Sequence, residues 1–322
     1  MIALFGLLGL ALAGAALLPP DVLGTEPGLP EDDESQAGKT VPLDTALGYG
    51  NDEGSDGEPA DLPRDSAATN ASRTASTPSA PPQRLSEMGT DMPDVIFGSE
   101  DEDDVRAGAG TDHVDLRDGD DRAHGGAQDD EMHGGRGGDT LWGGDGDDRL
   151  WGHVGDDVIQ GGAGNDRLQG GDGADALWGS AGDDALSGDL GDDRLDGGAG
   201  RDVLHGGAGD DRLVGTGDGA GDWLNGGDGV DEIHIGAGDM AHGGMAGDLF
   251  ALRSAEAGEA AVIADFDVTQ DQIMVLHPQG PAPELTVETV PEGLLLRADG
   301  VALARLDGLS RLDEGAVVLL TE

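Results

Sequence analysis

The hydrophobic positions of this chain follow a nine-residue period through its central part. Nine-residue blocks begin at Gly134 and run in unbroken register to the block at Gly206, each with leucine or isoleucine at position 8. The last three positions of each block predict a very short strand, in which position 8 faces one way and positions 7 and 9 face the other. One such strand cannot bury its leucine. We therefore expect successive strands to alternate between two facing parallel sheets, with two repeats, or 18 residues, in each coil.

The same blocks hold glycine at position 1 and aspartate at position 6. The aspartate register extends back to Asp103, and it resumes at Asp222 after an eleven-residue block at 215–225. Residues 18 apart should stack about 4.8 Å apart from coil to coil, which places Asp139 over Asp157. Stacked carboxylates repel each other unless a cation lies between them. The aspartates predicted as metal ligands are Asp121, Asp130, Asp139, Asp148, Asp157, Asp166, Asp175, Asp184, Asp193, Asp202, Asp211, Asp222 and Asp231.

The first six positions of the block, GGxGxD, predict a turn that supplies further oxygen ligands. Glycine adopts positive φ without steric cost, so a glycine-rich turn can direct its carbonyl oxygens towards a common point. An irregular cage of six or more carboxylate and carbonyl oxygens suits Ca²⁺ better than Zn²⁺ or the strictly octahedral Mg²⁺. The glycines predicted to line these sites are Gly143, Gly144, Gly146, Gly161, Gly162, Gly164, Gly197, Gly198, Gly200, Gly206, Gly207 and Gly209.

The nonapeptide GGxGxDxUx resembles the RTX, or hemolysin-type, calcium-binding repeat. Residues 134–214 match it nearly position by position, and a looser similarity covers 98–251. The resemblance implies an all-β fold, a right-handed parallel β-roll with calcium in the turns. It also implies secretion through a type I exporter and folding outside the cell, where calcium is abundant. Low-complexity disorder would not require an apolar residue at one fixed position, and no segment carries the ligand spacing of an EF-hand loop.

Composition limits the other functions that the chain could have. Its 67 acidic and 17 basic residues give a formal net charge of −50, which excludes nucleic acid as a partner and opposes a compact state unless cations neutralise it. The chain has no cysteine, so it has neither disulfides nor thiolate metal sites. With four Phe, four Trp and one Tyr, a large conventional core is not expected.

The N-terminal part lacks the repeat. Residues 2–18 form an unbroken apolar run, which we interpret as part of a hydrophobic signal or membrane-tether segment at 1–18, with a buried helix as the alternative. Residues 19–94 are rich in Pro, Ser, Thr, Ala, Asp and Glu, a composition that predicts a disordered acidic linker. The β-roll is expected at 95–251.

Residues 252–322 are expected to form a small β-rich cap. The segment 261–277 predicts two strands around a turn, and 294–306 predicts a hairpin centred on Asp299 and Gly300. The apolar C-terminal end resembles a type I secretion signal. For the aspartates of the first segment, Asp265, Asp267 and Asp271, the alternatives are a separate ion site and ordinary turn carboxylates.

Catalysis is not expected. The sequence contains neither HExxH nor GxSxG, and the segments outside the repeats are too short or too polar for a catalytic fold. The predicted function is therefore non-enzymatic calcium binding by a secreted or surface-tethered β-roll. The alternatives are an adhesion or matrix module that binds a glycan or a protein, with calcium purely structural, and an accessory module of an extracellular enzyme.

The outer faces of the predicted sheets carry histidine and tryptophan at position 9. A zinc or copper site at His124 and His133 is conceivable, but these residues belong to consecutive repeats, which face opposite sheets, so solvated surface histidines are the preferred interpretation. Trp142, Trp151 and Trp178 either form a partner surface or stiffen flat strands.

Overall fold

The computed structural model describes residues 86–215, 219–254, 258–313 and 315–321, all of which are strand, turn or loop. They lie within one compact unit, Arg73–Glu322. Within these ranges no helix is long and apolar enough to cross a membrane. The signal or tether segment and most of the linker predicted from the sequence lie outside the described residues.

Two sheets face each other, and successive strands alternate between them. The first sheet consists, in spatial order, of β1 (Ser86–Met88), β3 (Asp104–Ala109), β5 (Arg122–Ala127), β7 (Thr140–Asp145), β9 (Val158–Ala163), β11 (Ala176–Ala181), β13 (Arg194–Ala199), β15 (Arg212–Val214), β17 (Glu232–Ile235), β19 (Leu249–Arg253), β21 (Gln272–His277) and β25 (Val317–Thr321). The second consists of β2 (Val95–Phe97), β4 (His113–Asp115), β6 (Glu131–Arg136), β8 (Arg149–Val154), β10 (Arg167–Asp172), β12 (Ala185–Leu190), β14 (Val203–Ala208), β16 (Trp223–Asp228), β18 (Met240–Met245), β20 (Ala261–Ile263), β24 (Val301–Asp307), β23 (Gly293–Ala298) and β22 (Leu285–Val290).

The strand register confirms the 18-residue coil. Leu150 on β8 pairs with Leu168 on β10 in parallel orientation, and Leu168 pairs with Leu186 on β12. The eleven-residue block at 215–225 lengthens one coil to 20 residues, so that Leu204 pairs with Leu224. The result is an all-β parallel solenoid, as the repeat predicts.

The core is a narrow row of position 8 side chains from both sheets. Leu141, Leu150 and Ile159 have no exposed surface, and Leu168 is 2% exposed. The side chains at positions 7 and 9, before and after each position 8 residue, face outwards. The inward direction predicted for position 8 is thereby confirmed.

The strands are longer than the pattern predicts. Most repeat strands have six residues, because positions 1 to 3 of the next block continue the strand that begins at position 7. Position 1 glycines such as Gly143 and Gly161 are buried and face inwards beside position 8. Assigning all of GGxGxD to the turn was therefore wrong, since the chain reverses only over positions 4 to 6. The absence of a side chain lets the strand continue past the turn carboxylates.

The two ends of the solenoid differ from its middle. At the start, β1 pairs with β3 and lies inside the stretch 19–94 for which the sequence predicts a linker, so paired strands begin before residue 95. At the end, β23 and β24 form the hairpin expected around Asp299 and Gly300, which have positive φ. This hairpin is antiparallel and extends the second sheet, while β25 pairs with β21 at the end of the first.

Candidate metal centre

The position 6 aspartates form two rows, one at each edge of the solenoid. Asp139 and Asp157 each directly precede a strand of the first sheet, and Asp148 and Asp166 each directly precede a strand of the second. From Asp103 to Asp248 the aspartates of these rows are 3% exposed or less. A buried carboxylate is costly unless it is hydrogen-bonded and its charge is compensated.

One carboxylate oxygen of each aspartate is used by the backbone. The N–H of Asp139 donates to Oδ1 of Asp157 at 2.7 Å, and the N–H of Asp148 donates to Oδ1 of Asp166 at 2.8 Å. The predicted stacking of these pairs is confirmed. Each carboxylate thus accepts a hydrogen bond from the coil before it, an arrangement that the sequence did not indicate.

The second oxygen, Oδ2, is left without a hydrogen bond in the central rows. These atoms are buried and have no donor among the described residues, which is rare for a charged group in a folded protein. They belong to Asp112, Asp121, Asp130, Asp139, Asp148, Asp157, Asp166, Asp175, Asp184, Asp193, Asp211 and Asp231.

Carbonyl oxygens lie close to these Oδ2 atoms. A Cβ placed on Gly143 would meet Asp148 Oδ2 at 2.2 Å and the carbonyl oxygen of Gly161 at 2.6 Å. The two oxygens are therefore at most about 5 Å apart, a separation that two ligands of one Ca²⁺ ion with bonds of about 2.3–2.6 Å can have. The same arrangement recurs at Gly206, where Asp211 Oδ2 and the carbonyl of Gly226 are the neighbours. Unpaired carboxylate oxygens beside carbonyl oxygens fit calcium.

The glycines predicted to line the sites differ in what they do. Position 1 glycines, such as Gly143, leave space for the carboxylate of their own repeat. Gly144 and Gly146, at positions 2 and 4, have φ of 126° and 140° and lie against backbone carbonyl groups of the preceding coil. The structure therefore brings position 1 and position 6 together, whereas positions 2 and 4 form close contacts between coils.

Burial and mutual repulsion raise the pKa values of these carboxyl groups. Burial raises the pKa of Asp148 from its ordinary value of 3.8 to about 7. The hydrogen bond from the N–H of Asp130 opposes the rise, and the charges of Asp130, Asp129 and Asp147 add to it. The pKa of Asp157 is likewise raised to about 7, first by burial. The rows therefore resist holding full negative charge without a counter-ion.

Five members of the rows were missing from the predicted ligands. Asp103, Asp112, Asp239 and Asp248 are buried in the same rows, and Asp239 Oδ1 accepts from the N–H of Asp222. Asp271 ends the other row, accepting from the N–H of Asp248. A shortened block removes Asp239 from the nine-residue register. Like the other aspartates of the rows, however, Asp239 directly precedes a strand, β18.

The aspartates of the tail serve the backbone. Asp265 accepts from the N–H groups of Gly243 and Gly244, and Asp267 accepts from the N–H and hydroxyl of Thr269. These contacts favour the interpretation as turn carboxylates over a separate ion site.

Comparisons with known proteins agree with the repeat geometry. The family described as the RTX calcium-binding nonapeptide repeat matches in four copies, at residues 88–123, 124–159, 151–186 and 187–219. No curated protein matches the chain. Among solved structures, the chain is similar to the AlgE6R3 subunit of the mannuronan C5-epimerase from Azotobacter vinelandii. The two are 26% identical over 52% of this chain and 80% of that one, with a TM-score of 0.16, so their superposition adds nothing to the description of the fold. Residues 88–219 of this chain thus match the family model of the RTX calcium-binding nonapeptide repeat.

Proposed function

We propose that the protein is a calcium-binding β-roll whose folding is driven by calcium. The observation that carries this proposal is the rows of buried Oδ2 atoms without hydrogen bonds, which from Asp130 onwards lie beside a position 1 glycine. In a central site, Asp148 Oδ2 and the carbonyl oxygen of Gly161 would be two of the ligands. The ion would supply positive charge where the chain itself has none.

The coupling to folding follows from the free-energy cost of burying the aspartate rows without a counter-charge. A buried ionised carboxylate without a counter-charge destabilises the folded state strongly, and the rows contain many such groups. Because the oxygens of one site come from different coils, the unfolded chain has no preformed site, and the free energy of ion binding becomes free energy of folding.

We further propose that the protein works outside the cell and is not an enzyme. The repeats are of a type that is commonly exported, and extracellular calcium suits sites of modest affinity. The signal or tether role of 1–18, the linker role of the part of 19–94 that precedes β1, and a secretion signal in 252–322 remain parts of this proposal. Fractionation of the native host tests it, with one antibody against the linker and one against the roll. Recovery of both epitopes only in the cytosol would refute export.

Circular dichroism of the full chain tests the calcium proposal. The protein is refolded from urea with chelator, with excess Ca²⁺, or with the same concentration of Mg²⁺. We expect a β spectrum with Ca²⁺ and a largely unfolded one in the other two samples. A β spectrum that excess chelator leaves unchanged would overturn the proposal, and equal folding by Mg²⁺ would overturn the choice of metal.

A further inference from the structure

A second kind of metal-binding cluster lies on the outer face of the second sheet. On β4 and β6, His113 is the lateral neighbour of Glu131, and Asp115 is the lateral neighbour of His133. Glu131 and His133 are two residues apart on β6, so their side chains project from the same face. The alternation of strands thus gathers two imidazoles and a carboxylate on the outer face of the sheet, directly after the buried Asp112 and Asp130 of the aspartate row.

The donor atoms of this cluster are spaced as the ligands of one ion would be. His113 Nδ1 lies 3.5 Å from Glu131 Oε1, and His133 Nε2 lies 3.4 Å from the same oxygen. All three atoms are within 4.8 Å of one another. Ligands of a tetrahedral Zn²⁺ ion with bonds of about 2.0–2.1 Å stand about 3.3–3.4 Å apart. Two of the three separations already have nearly this value.

His133 is held in the orientation that a ligand requires. Its ring stacks on Trp151 at 4.5 Å, nearly parallel, and its Nδ1 lies 3.0 Å from Nε2 of His153. Metal-bound histidines usually donate their second ring N–H to a fixed acceptor. With Nδ1 of His133 engaged by His153, Nε2 is the nitrogen that faces Glu131 and remains for the ion.

His153 occupies a position that normally requires glycine. It stands at position 2 of its repeat with φ of 79°, where Gly144 and Gly162 in neighbouring blocks also have positive φ. Few non-glycine residues adopt this backbone conformation without cost. Position 2 side chains reach back 20 residues to position 9, as Ser180 does to Gln160. The strained backbone therefore places the imidazole of His153 against His133.

Charged residues of both signs lie beside the cluster. Asp115, the lateral neighbour of His133, adds a second carboxylate beside the cluster. Arg149 is the lateral neighbour of Glu131 on the β8 side. On the opposite sheet His124 also stacks on a tryptophan, Trp142, at 4.2 Å, but its lateral neighbour is the cation Arg106. His124 thus shares with His133 the stacking on a tryptophan of an outer face, but it lacks the neighbouring histidine and glutamate ligands.

We propose that His113, Glu131 and His133 bind a zinc ion, with a fourth coordination position open to water or to an external ligand. The set of two histidines and one glutamate is one that Zn²⁺ uses in sites with an open position. Imidazole nitrogen prefers Zn²⁺ to Ca²⁺, whereas the aspartate rows offer only oxygen. The two sites should therefore bind different metals independently.

Calorimetric titration of ZnCl₂ into the full chain, folded in excess Ca²⁺ at pH 7.5, tests the proposal. We expect the wild type to bind one equivalent of zinc. His133→Ala should abolish this binding, and His124→Ala should leave it unchanged. The two variants are matched because each exposes a tryptophan on an outer face. Glu131→Gln should also abolish zinc binding, and His153→Ala should weaken binding by roughly tenfold or more. Far-UV circular dichroism in Ca²⁺ verifies that the variants are folded, and Glu131→Gln provides the test if His133→Ala is not.

Two results would overturn the proposal. One is the same zinc stoichiometry and affinity in His133→Ala, Glu131→Gln and His124→Ala. The other is release of zinc from the wild type when the Ca²⁺ concentration is raised tenfold, which would place the zinc in the aspartate rows. A Co²⁺ spectrum with tetrahedral intensity, present in the wild type and absent in His133→Ala, would support the geometry.

Discussion

The backbone N–H of Asp148 donates a 2.8 Å hydrogen bond to Oδ1 of Asp166, one coil further along the solenoid. Its neighbour Asp147 bonds in the opposite direction, because the N–H of Asp147 donates to Oδ1 of Asp129 in the coil before. The two residues of this acidic pair therefore connect one coil to both of its neighbours. Only the position 6 member is buried, and its Oδ2 is a buried oxygen without a hydrogen bond.

This asymmetry predicts opposite results for two adjacent substitutions that change the charge equally. Asp148→Asn should weaken calcium-induced folding markedly, because an amide NH₂ can replace Oδ2 in shape but not as a ligand. Asp147→Asn should have little effect, since Asn165 already occupies position 5 two repeats later and its amide oxygen accepts from the N–H of Asp183. Calcium titrations followed by circular dichroism measure both midpoints.

The matched pair also separates ligation from net charge. If both substitutions shifted the calcium midpoint equally, the effect would be the loss of one negative charge from a polyanion, and position 6 would not be a specific ligand. A shift confined to Asp147→Asn would place the metal on the exposed row instead.

The repeat made the larger part of this architecture predictable. The nine-residue period and strand alternation alone predict that Leu168 faces inwards and that Asp139 lies over Asp157, and both are observed. The role of position 5 was not predictable, since it depends on backbone N–H groups whose direction the pattern does not encode. The ligand set around His133 follows from the same 18-residue register, but through position 7, whereas only position 9 histidines were considered as ligands from the sequence. The contact of His133 with His153 was not predictable, because it spans 20 residues and depends on a positive φ at a non-glycine residue.

Position 1 glycine should be intolerant of even a methyl group. In Gly143→Ala the new Cβ would stand 2.2 Å from Asp148 Oδ2 and 2.6 Å from the carbonyl oxygen of Gly161, so the proposed ligands must move. We expect a loss of stability in calcium of about 1–3 kcal/mol, as for overpacked cores, together with a weaker calcium midpoint. Urea unfolding at saturating Ca²⁺ measures the first effect.

Gly138→Ala is the control for this substitution. A Cβ at Gly138 would have one close neighbour, the carbonyl oxygen of Asp156 at 3.1 Å, and no carboxylate. It should change the unfolding free energy much less. Equal losses for the two variants would mean that glycine is needed for backbone reasons alone.

Protons should partly replace calcium in the rows. The pKa values of Asp121, Asp148 and Asp193 are raised to about 7 and that of Asp166 to about 6, first by burial in each case, from 3.8. The folded state therefore binds protons that the unfolded chain has released. The resulting stabilisation of the calcium-free roll is complete below about pH 4 and is lost as the pH rises through 6 to 7.

Protein freed of calcium by dialysis should accordingly show more β structure at pH 5 than at pH 8. The calcium concentration needed for half-folding should fall from pH 8 to pH 6, because protons on the carboxyl groups with raised pKa already stabilise part of the roll. Circular dichroism at each pH, without calcium and during a calcium titration, measures both effects. β content that rises with pH in the absence of calcium would contradict the assignment.

The direction of the side chains gives the last prediction. Ile159 has no exposed surface, whereas Gln160, one residue along β9, is exposed and donates to the hydroxyl of Ser180.

Ile159→Asp would place a carboxylate between two sheets whose core is one row of apolar side chains, and an unpaired buried charge costs several kcal/mol or forces a raised pKa. Gln160→Asp adds the same charge to the outer face. We expect the urea midpoint in saturating Ca²⁺ to fall sharply for Ile159→Asp and slightly for Gln160→Asp. Equal midpoints would mean that the repeats bind calcium as a flexible polyelectrolyte without a two-sheet core.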